Sequence, residues 1–448
     1  MEYNIYFLTL GCSKNDIDTE CMMSLLNQKY KIVDDITIAN IVVVNTCSFI
    51  LDAKEQSVDT IMELINLKGE VLKYIVVAGC LGQRYPDDLM NDIPEIDAII
   101  GTGQLSNINN ILNDMIEGKR CAYTSNVNDP YPEDSKRVDF KRSQYIKISE
   151  GCNNHCSYCI IPKLRGKMRS RSIEDIVREA EYLSQNGTRE LILIAQNTTE
   201  YGKDNYGMPM LDKLLIELNK IRNLTWIRVL YMYPEGFYPE LIDAIKKCEK
   251  VVNYVDMPLQ HISDPVLKSM NRHSTKESVL KLIDDLRKEI PDIIIRSTFI
   301  VGFATESEGD YNELIDFIKE YKLDRVGVFC YSLEEGTRAY KWGSPISEEI
   351  KEQRRDRLMS IQADISYNKL KERAGSTMMA LIEDYQDGKY IGRTYMDSPG
   401  VDGTVIIDSE NPLKIGEFYD ILITGADYYD LEGKEVGIHE FTKQNYSR

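Results

Sequence analysis

Three short apolar runs, Asn4–Leu10, Asn40–Asn45 and Lys73–Ala78, constrain the first part of this chain more than any other feature. Each is rich in Ile, Val or Leu and lacks polar alternation. That is the pattern of a strand buried on both faces of a parallel sheet. Helix-length segments, Asp16–Asn27 and Asp52–Leu67, separate the runs. The βαβαβ order predicts a doubly wound α/β domain over residues 1–122. Each run also leads into a cysteine, in the strings LTLGC, VVNTC and VVAGC, which end at Cys12, Cys47 and Cys80. Strands of a parallel sheet all point one way, so these three positions converge on one edge, where open α/β sheets bind ligands. Three thiolates there suit an iron–sulfur cluster with one iron left open. Buried cysteine is common in such strands. That would explain one cysteine; three at the same topological position favour a metal site.

Residues 123–144 carry two prolines, several Asp and Ser and no periodicity, and read as a linker. From Tyr145 a second alternation begins. Its candidate strands are Tyr145–Ser149, Glu190–Ala195, Trp226–Tyr231, Tyr254–Met257, Ile293–Val301 and Arg325–Tyr331, with helices between. The first helix is predicted at Ile173–Gln185, with Ser172 as N-cap and Gly187 as stop. The last, Ser347–Arg373, is long and heavily charged. Six β/α repeats predict a full or partial (β/α) barrel over 145–374. After Gly375 the texture changes to short strands, Met378–Tyr385, Tyr390–Met396, Gly403–Ile407, Phe418–Thr424 and Glu435–Phe441, punctuated by Gly and Pro. Five of these predict a small antiparallel β-barrel of OB-like size over 375–448.

The strongest local signal is Gly151-Cys152-Asn153-Asn154-His155-Cys156-Ser157-Tyr158-Cys159, a C-x3-C-x2-C spacing. It follows the first barrel strand directly, so it opens at the C-terminal face, where barrel active sites form. Three thiolates can hold three irons of a 4Fe–4S cluster and leave the fourth iron for substrate or cofactor. The alternative is a zinc site with His155 as fourth ligand, but zinc sites usually pair two C-x2–4-C elements and no second pair is present. Cys21, Cys121, Cys248 and Cys330 show no ligand spacing and read as packing residues. A basic run, Lys163, Arg165, Lys167, Arg169 and Arg171, follows the motif. It reads as a solvated surface or as a contact for phosphate or carboxylate.

Charge narrows the function classes. Fifty-four Lys and Arg against 72 Asp and Glu give a net charge of −18. Residues 1–140 are net −11, residues 141–372 neutral and residues 373–448 net −7. This argues against nucleic acid held on a general basic surface and against an anionic membrane. It suits a basic partner. No run approaches the ~20 apolar residues of a membrane span, and the N-terminus lacks the regions of a secretory signal. A cytoplasmic location is expected, and ten cysteines in such a chain point to metal or catalysis rather than disulfides.

C-x3-C-x2-C at the head of a (β/α) barrel resembles the radical S-adenosylmethionine (SAM) superfamily. The three upstream cysteines and terminal β-barrel narrow the resemblance to the methylthiotransferases, over essentially the whole chain. The strings GCSKN, NTCSFI, GCLGQRY, CSYCIIPKLRG, MRSRS, YMYPEGF, MPLQHISD and GRTYMDSPGVDG resemble the RimO-like type. That type methylthiolates the β-carbon of an aspartate in the twelfth small-subunit ribosomal protein. The MiaB-like type, which modifies an adenosine in tRNA, is the alternative, and a non-catalytic iron–sulfur or RNA-binding scaffold is a third reading. The acidic final segment favours the basic ribosomal protein over tRNA.

The resemblance implies two 4Fe–4S clusters, on Cys152, Cys156 and Cys159 and on Cys12, Cys47 and Cys80. It implies SAM bound by its amino and carboxylate groups at the first, a terminal TRAM domain, and a low-potential electron donor such as flavodoxin or ferredoxin. One SAM would be cleaved reductively to a 5′-deoxyadenosyl radical, and a second would methylate the sulfur. Tyr158 is expected against the adenine, with Gln196, Asn197 and Gln260 at strand ends facing the cofactor and Arg296 on its carboxylate. His261 is expected to make ordinary hydrogen bonds at the barrel mouth. One departure stands out: Ala304-Thr305 replace the family's Pro-Gly pair, while Gly302, Phe303 and Glu306 remain.

Overall fold

The computed structural model describes residues 3–129, 131, 132 and 137–439. Linker positions 130 and 133–136, and the last two residues of the strand expected at Glu435–Phe441, lie outside them. The chain forms two compact units. One runs to Met210 and adds Ser332–Lys341; the other holds Leu211–Tyr331 and the remainder from Trp342.

The first unit opens with strands β1 (Asn4–Thr9), β2 (Lys31–Ile32), β3 (Ile41–Thr46), β4 (Tyr74–Gly79), β5 (Ala98–Ile100) and β6 (Cys121–Tyr123). They form one parallel sheet in the order β2-β1-β3-β4-β5-β6. The three predicted strands form its centre. The other three are two or three residues long, too short to give a sequence signal. Helices α1 (Ser13–Leu26), α2 (Leu51–Asn66), α3 (Cys80–Arg84), α4 (Pro86–Asp92) and α5 (Ile108–Ile116) connect them. Ile41, Val43, Val76 and Ala78 enter one core, and Val42, Val44, Ile75 and Val77 the other. Both faces are thus covered, which is why these strands show no polar alternation.

The second alternation starts in the same unit. Strand β7 (Ser143–Lys147) is followed by β8 (Ser149–Glu150), which pairs antiparallel with β9 (Arg169–Ser170), and by β10 (Glu190–Ile194), parallel to β7. Between them lie α6 (Ile161–Arg165) and α7 (Ile173–Gln185). Ser172 caps α7 as expected, its Oγ accepting from Asp175 N at 3.2 Å. Among the described residues of the expected linker, Tyr123 belongs to β6, Ser143 and Gln144 belong to β7, and Arg137 is buried against Glu20 and Glu179.

In the second unit α8 (Leu211–Asn219), β11 (Trp226–Val229), α9 (Pro239–Lys247), β12 (Tyr254–Asp256), α10 (Asp264–Ser269), α11 (Lys276–Glu289), β13 (Ile294–Val301), α12 (Glu308–Tyr321), β14 (Arg325–Cys330) and α13 (Glu348–Lys371) continue the alternation. Strands β12, β13 and β14 pair in parallel. The last five strands, β15 (Thr377–Gln386), β16 (Lys389–Thr394), β17 (Val405–Asp408), β18 (Phe418–Ala426) and β19 (Leu431–Ile438), close into a barrel in the order β15-β16-β17-β19-β18. Four of its joints are antiparallel, as expected. The joint between β17 and β19 is parallel, because β18 reverses the chain between them.

The loop Tyr395–Asp402 seats this barrel on β11 to β14. Arg228 Nη1 donates to Tyr395 O at 2.9 Å, Tyr254 Oη to Asp402 at 2.7 Å and Arg325 Nε to Asp397 at 3.0 Å. Trp226 meets Phe418 edge to face with ring centroids 4.8 Å apart.

Candidate iron–sulfur and cofactor site

The first unit carries all six candidate thiols. Cys12 is the N-cap of α1 just past β1, Cys47 follows β3 directly, and Cys80 follows β4 as the first residue of α3. β1, β3 and β4 are neighbours in the sheet, so the three strand ends stand together. Gly11 brings two of them close. Its φ is +93°, and a Cβ there would stand 2.7 Å from Cys47 Cβ and 3.2 Å from Cys47 Sγ. Ser57 on α2 fixes the Cys47 backbone, accepting from its N–H at 3.1 Å and donating to its carbonyl at 2.9 Å. Asn15 ties the strand ends together by donating to Leu10 O at 2.7 Å and Thr46 O at 3.1 Å.

Burial pushes the Cys47 thiol up, and pushes Cys80 to about 11. Cys12 raises both, while the Arg165 guanidinium opposes the rise. Without metal these two thiols keep their protons at neutral pH, so ligation must displace them. Two buried thiols, Cys47 and Cys80, beside the exposed Cys12 at one sheet edge fit a soft-metal cluster open on one side. Among the described residues no group of three or more His, Cys, Asp or Glu stands at the spacing of a single-ion site. A cubane does not need that spacing, since each thiolate binds its own iron.

The second triad sits on a pinned loop. Cys152 N donates to Gly166 O at 3.1 Å, Met168 N to Asn153 Oδ1 at 3.1 Å, Cys159 N to Cys156 O at 3.0 Å and Ala339 N to Ser157 O at 2.7 Å. Cys152 and Cys156 are buried, Cys159 and Tyr158 half-buried, and His155 exposed. A zinc site would need the exposed His155 turned in among buried thiols.

A buried charge network that sequence reading missed joins the two triads. Arg165 ends α6, six residues after Cys159, and is 2% exposed. Its Nη1 donates to Asp18 at 2.9 Å and Glu150 at 3.0 Å; its Nη2 donates to Asn15 Oδ1 at 2.6 Å and Cys80 Sγ at 3.6 Å. Lys147 completes the set with Asp18 and, at 2.6 Å, Glu150. Two cations face two carboxylates, which is how a buried charge stays affordable. Arg165 and Lys147 hold the Glu150 carboxyl well below its usual range, overcoming the opposing effect of burial. Lys147 and Glu150, charged residues inside the otherwise apolar YIKISEG segment, were the available signal.

Two members of the basic run therefore depart from the surface reading: Arg165 is buried here, and Arg171 is paired with Asp175 and Glu179 at 2.7 and 2.6 Å. Lys163 and Lys167 are exposed. Of the cysteines read as packing residues, Cys21 and Cys248 are buried, whereas Cys121 is exposed because it lies on the edge strand β6.

The expected cofactor contacts divide. Gln196, just past β10, donates to Glu150 at 2.7 Å, and its buried Oε1 has no hydrogen-bond partner. Asn197 is buried, donating to Glu200 at 3.2 Å and accepting from Thr199 Oγ1 at 2.8 Å. In the other unit Gln260 follows β12 at φ +70°, bridging β13 through Thr298 O and Ile300 N at 2.8 Å each. His261 is buried and accepts from Ser263 N at 3.0 Å. Arg296, expected on the SAM carboxylate, pairs here with Asp256 at 2.7 Å and with Asp402 of the incoming loop at 3.2 Å. The Ala304-Thr305 departure leaves its turn closed by neighbours. Gly302 N donates to Glu306 at 2.9 Å and Arg354 holds the same carboxylate. Gly302 has φ +72° with Lys351 Cδ 2.9 Å from where a Cβ would be.

Residues 146–318 match the radical SAM superfamily, 4–101 the uncharacterized protein family UPF0004 and 374–436 the TRAM domain. The fold resembles that of TsrM, a radical SAM methyltransferase from Kitasatospora setae (TM-score 0.56, 13% identity, 87% of this chain and 77% of that one). It also resembles the radical SAM enzyme OxsB (TM-score 0.53, 14% identity, 81% and 56%). Fold and domain content together define a radical SAM enzyme of three sequence domains. In sequence the chain is 48% identical to ribosomal protein uS12 methylthiotransferase RimO of Clostridioides difficile (95% of this chain, 97% of that one). It is 46% identical to its namesake in Thermoanaerobacter sp. (96% and 99%). The chain belongs to the ribosomal protein uS12 methylthiotransferase RimO family.

Proposed function

We propose that this chain adds a methylthio group to the β-carbon of an aspartate in ribosomal protein uS12. The observation that carries the reading is the meeting of Cys12, Cys47 and Cys80 at one sheet edge, tied by Arg165 to the loop of the second triad. Near-full-length identity to uS12 enzymes supports it. When bound, two 4Fe–4S clusters and SAM supply one-electron reduction, hydrogen abstraction and methylated sulfur. Cys152, Cys156 and Cys159 hold the SAM-side cluster; Cys12, Cys47 and Cys80 hold the other. The division of labour follows the segments 1–122, 145–374 and 375–448, the first bringing sulfur, the second SAM and the third the substrate protein.

The chain's own polar groups orient the cofactor. Gln196, held by Glu150, offers its unpartnered Oε1 as an acceptor. Asn197, Gln260 and the half-buried Tyr158 are assigned to SAM with it. Arg296 is assigned instead to holding the loop with Asp402. A low-potential donor such as flavodoxin or ferredoxin supplies the electron. No helix among the described residues is long and apolar enough to cross a membrane, which accords with work in the cytoplasm. The acidic final segment favours a basic protein over tRNA.

The test is anaerobic reconstitution with iron and sulfide, then SAM, reductant and either uS12 or tRNA. The expected result is a methylthio mass gain on uS12. A modified adenosine in tRNA, or no 5′-deoxyadenosine with either substrate, overturns the reading. Replacing Cys152, Cys156 and Cys159 by Ala together should remove about half the iron.

A further inference from the structure

Arg165 has a place that neither ligation nor cofactor binding accounts for. Of four hydrogen bonds from its two terminal nitrogens, three go to Asp18, Glu150 and Asn15, and the fourth goes to Cys80 Sγ at 3.6 Å. The three oxygen partners fix the planar guanidinium, so the N–H aimed at sulfur cannot swing away. Asn15 is itself fixed to Leu10 O and Thr46 O at the ends of β1 and β3. Leu164 and Ile160 pack against Cys80 and keep water from that sulfur. The cationic partner of the Cys80 sulfur is therefore buried, rigid and delivered by the helix that follows the other triad.

A cluster gains one negative charge when reduced. A fixed cation donating a hydrogen bond to one of its ligand sulfurs stabilises the reduced form, the more so in a buried site. We infer that Arg165 is a positioning residue that raises the reduction potential of the cluster held by Cys12, Cys47 and Cys80. The inference rests on that ligand assignment. It requires no new chemical step, only that the guanidinium persist beside the thiolate when iron is bound.

The experiment uses full-length chain carrying Cys152→Ala, Cys156→Ala and Cys159→Ala, reconstituted with iron and sulfide so that one cluster remains. Its midpoint is followed by paramagnetic resonance during reductive titration, with and without Arg165→Gln. Loss of the charge and the N–H should move the midpoint to more negative potential. Arg165→Lys, which keeps the charge and loses the fork, should give a smaller shift in the same direction and guards against a Gln variant that fails to fold. In the background protein the reduced cluster should also show an exchangeable proton coupling beyond those of the Ser48 and Phe49 N–H groups on Cys47, removed by deuterated solvent and lost in Arg165→Gln. An unmoved midpoint in a variant with full iron overturns the role of Arg165 and leaves the ligand assignment standing. No iron in the background protein overturns the assignment itself.

Discussion

At the residue scale the thiol edge depends on a position that carries no functional group. Gly11 adopts φ +93° where the chain leaves β1 for α1, and its missing side chain makes room for Cys47. An Ala there meets two costs. The left-handed backbone costs a non-glycine residue roughly 1–2 kcal/mol, and the new methyl would stand 2.7 Å from Cys47 Cβ, well inside contact distance. The relief available is movement of Cys47, which Ser57 holds by its backbone. Gly11→Ala should therefore lower the melting temperature and displace one thiol of the cluster proposed on Cys12, Cys47 and Cys80. Iron per chain after reconstitution should fall toward half, with the far-ultraviolet dichroism nearly unchanged. Full iron and an unshifted melting curve would show that the edge tolerates the methyl.

At the element scale much of the chain was legible because its elements declare themselves locally. Runs such as Ile41–Thr46 are buried on two faces and read as such; the Ser172 cap and the punctuated strands after Gly375 are similarly short-range signals. What could not be read depends on partners distant in sequence. Lys147 meets Asp18 across 129 residues and Arg165 meets Asn15 across 150. Nothing within the basic run distinguishes its buried Arg165 from its exposed Lys167. The same holds for GRTYMDSPGVDG, one of the strings that resemble the RimO-like type. Its Asp397 and Asp402 are buried against Arg325 and Arg296, so at least these two serve the docking of the barrel. Two-residue β2 and the parallel joint of β17 with β19 were likewise invisible, the first for length and the second because direction is set by the closed barrel.

Helix α12 gives a pH-dependent test at this scale. Ser307 caps it, and Asp310 reaches back to Ser307 N at 2.9 Å while also accepting from the Ser263 hydroxyl. Burial raises the Asp310 pKa, but the Ser263 and Ser307 hydrogen bonds outweigh it and the net shift is downward from 3.8. A carboxylate depressed in the folded state stabilises it fully above the unfolded value, and the contribution is lost as pH falls through the folded value. Its charge also complements the helix N-terminus, an effect of roughly 0.3–1 kcal/mol. Asp310→Asn should thus be less stable than the parent at neutral pH, with the gap closing as pH drops below about 4. Urea midpoints of both proteins across that range measure it, and a gap independent of pH would remove the charge from the account.

For the whole molecule, the sign and distribution of charge give the proposed encounter with a basic substrate protein its test. The neutral middle of the chain contributes no bias; the first 140 residues are net −11 and residues 373–448 net −7. On the terminal barrel Asp384, Asp387, Asp408, Glu410 and Asp427 are exposed, so their field reaches solvent instead of being spent on internal pairs alone. Such a field steers an oppositely charged partner and is screened within about 8 Å at physiological ionic strength. Binding of uS12 to the reconstituted enzyme, followed by fluorescence anisotropy, should weaken steadily as salt rises from about 50 to about 300 mM. Asp384→Lys with Glu410→Lys should weaken it a few-fold at the low-salt end, since exposed pairs contribute about 0.2–1 kcal/mol each. The same variant should show a flatter salt dependence and converge on the parent at high salt, because both proteins then bind through uncharged contacts alone. If affinity ignored salt and the double variant bound as the parent does, the acidic barrel would not be the surface that receives the substrate.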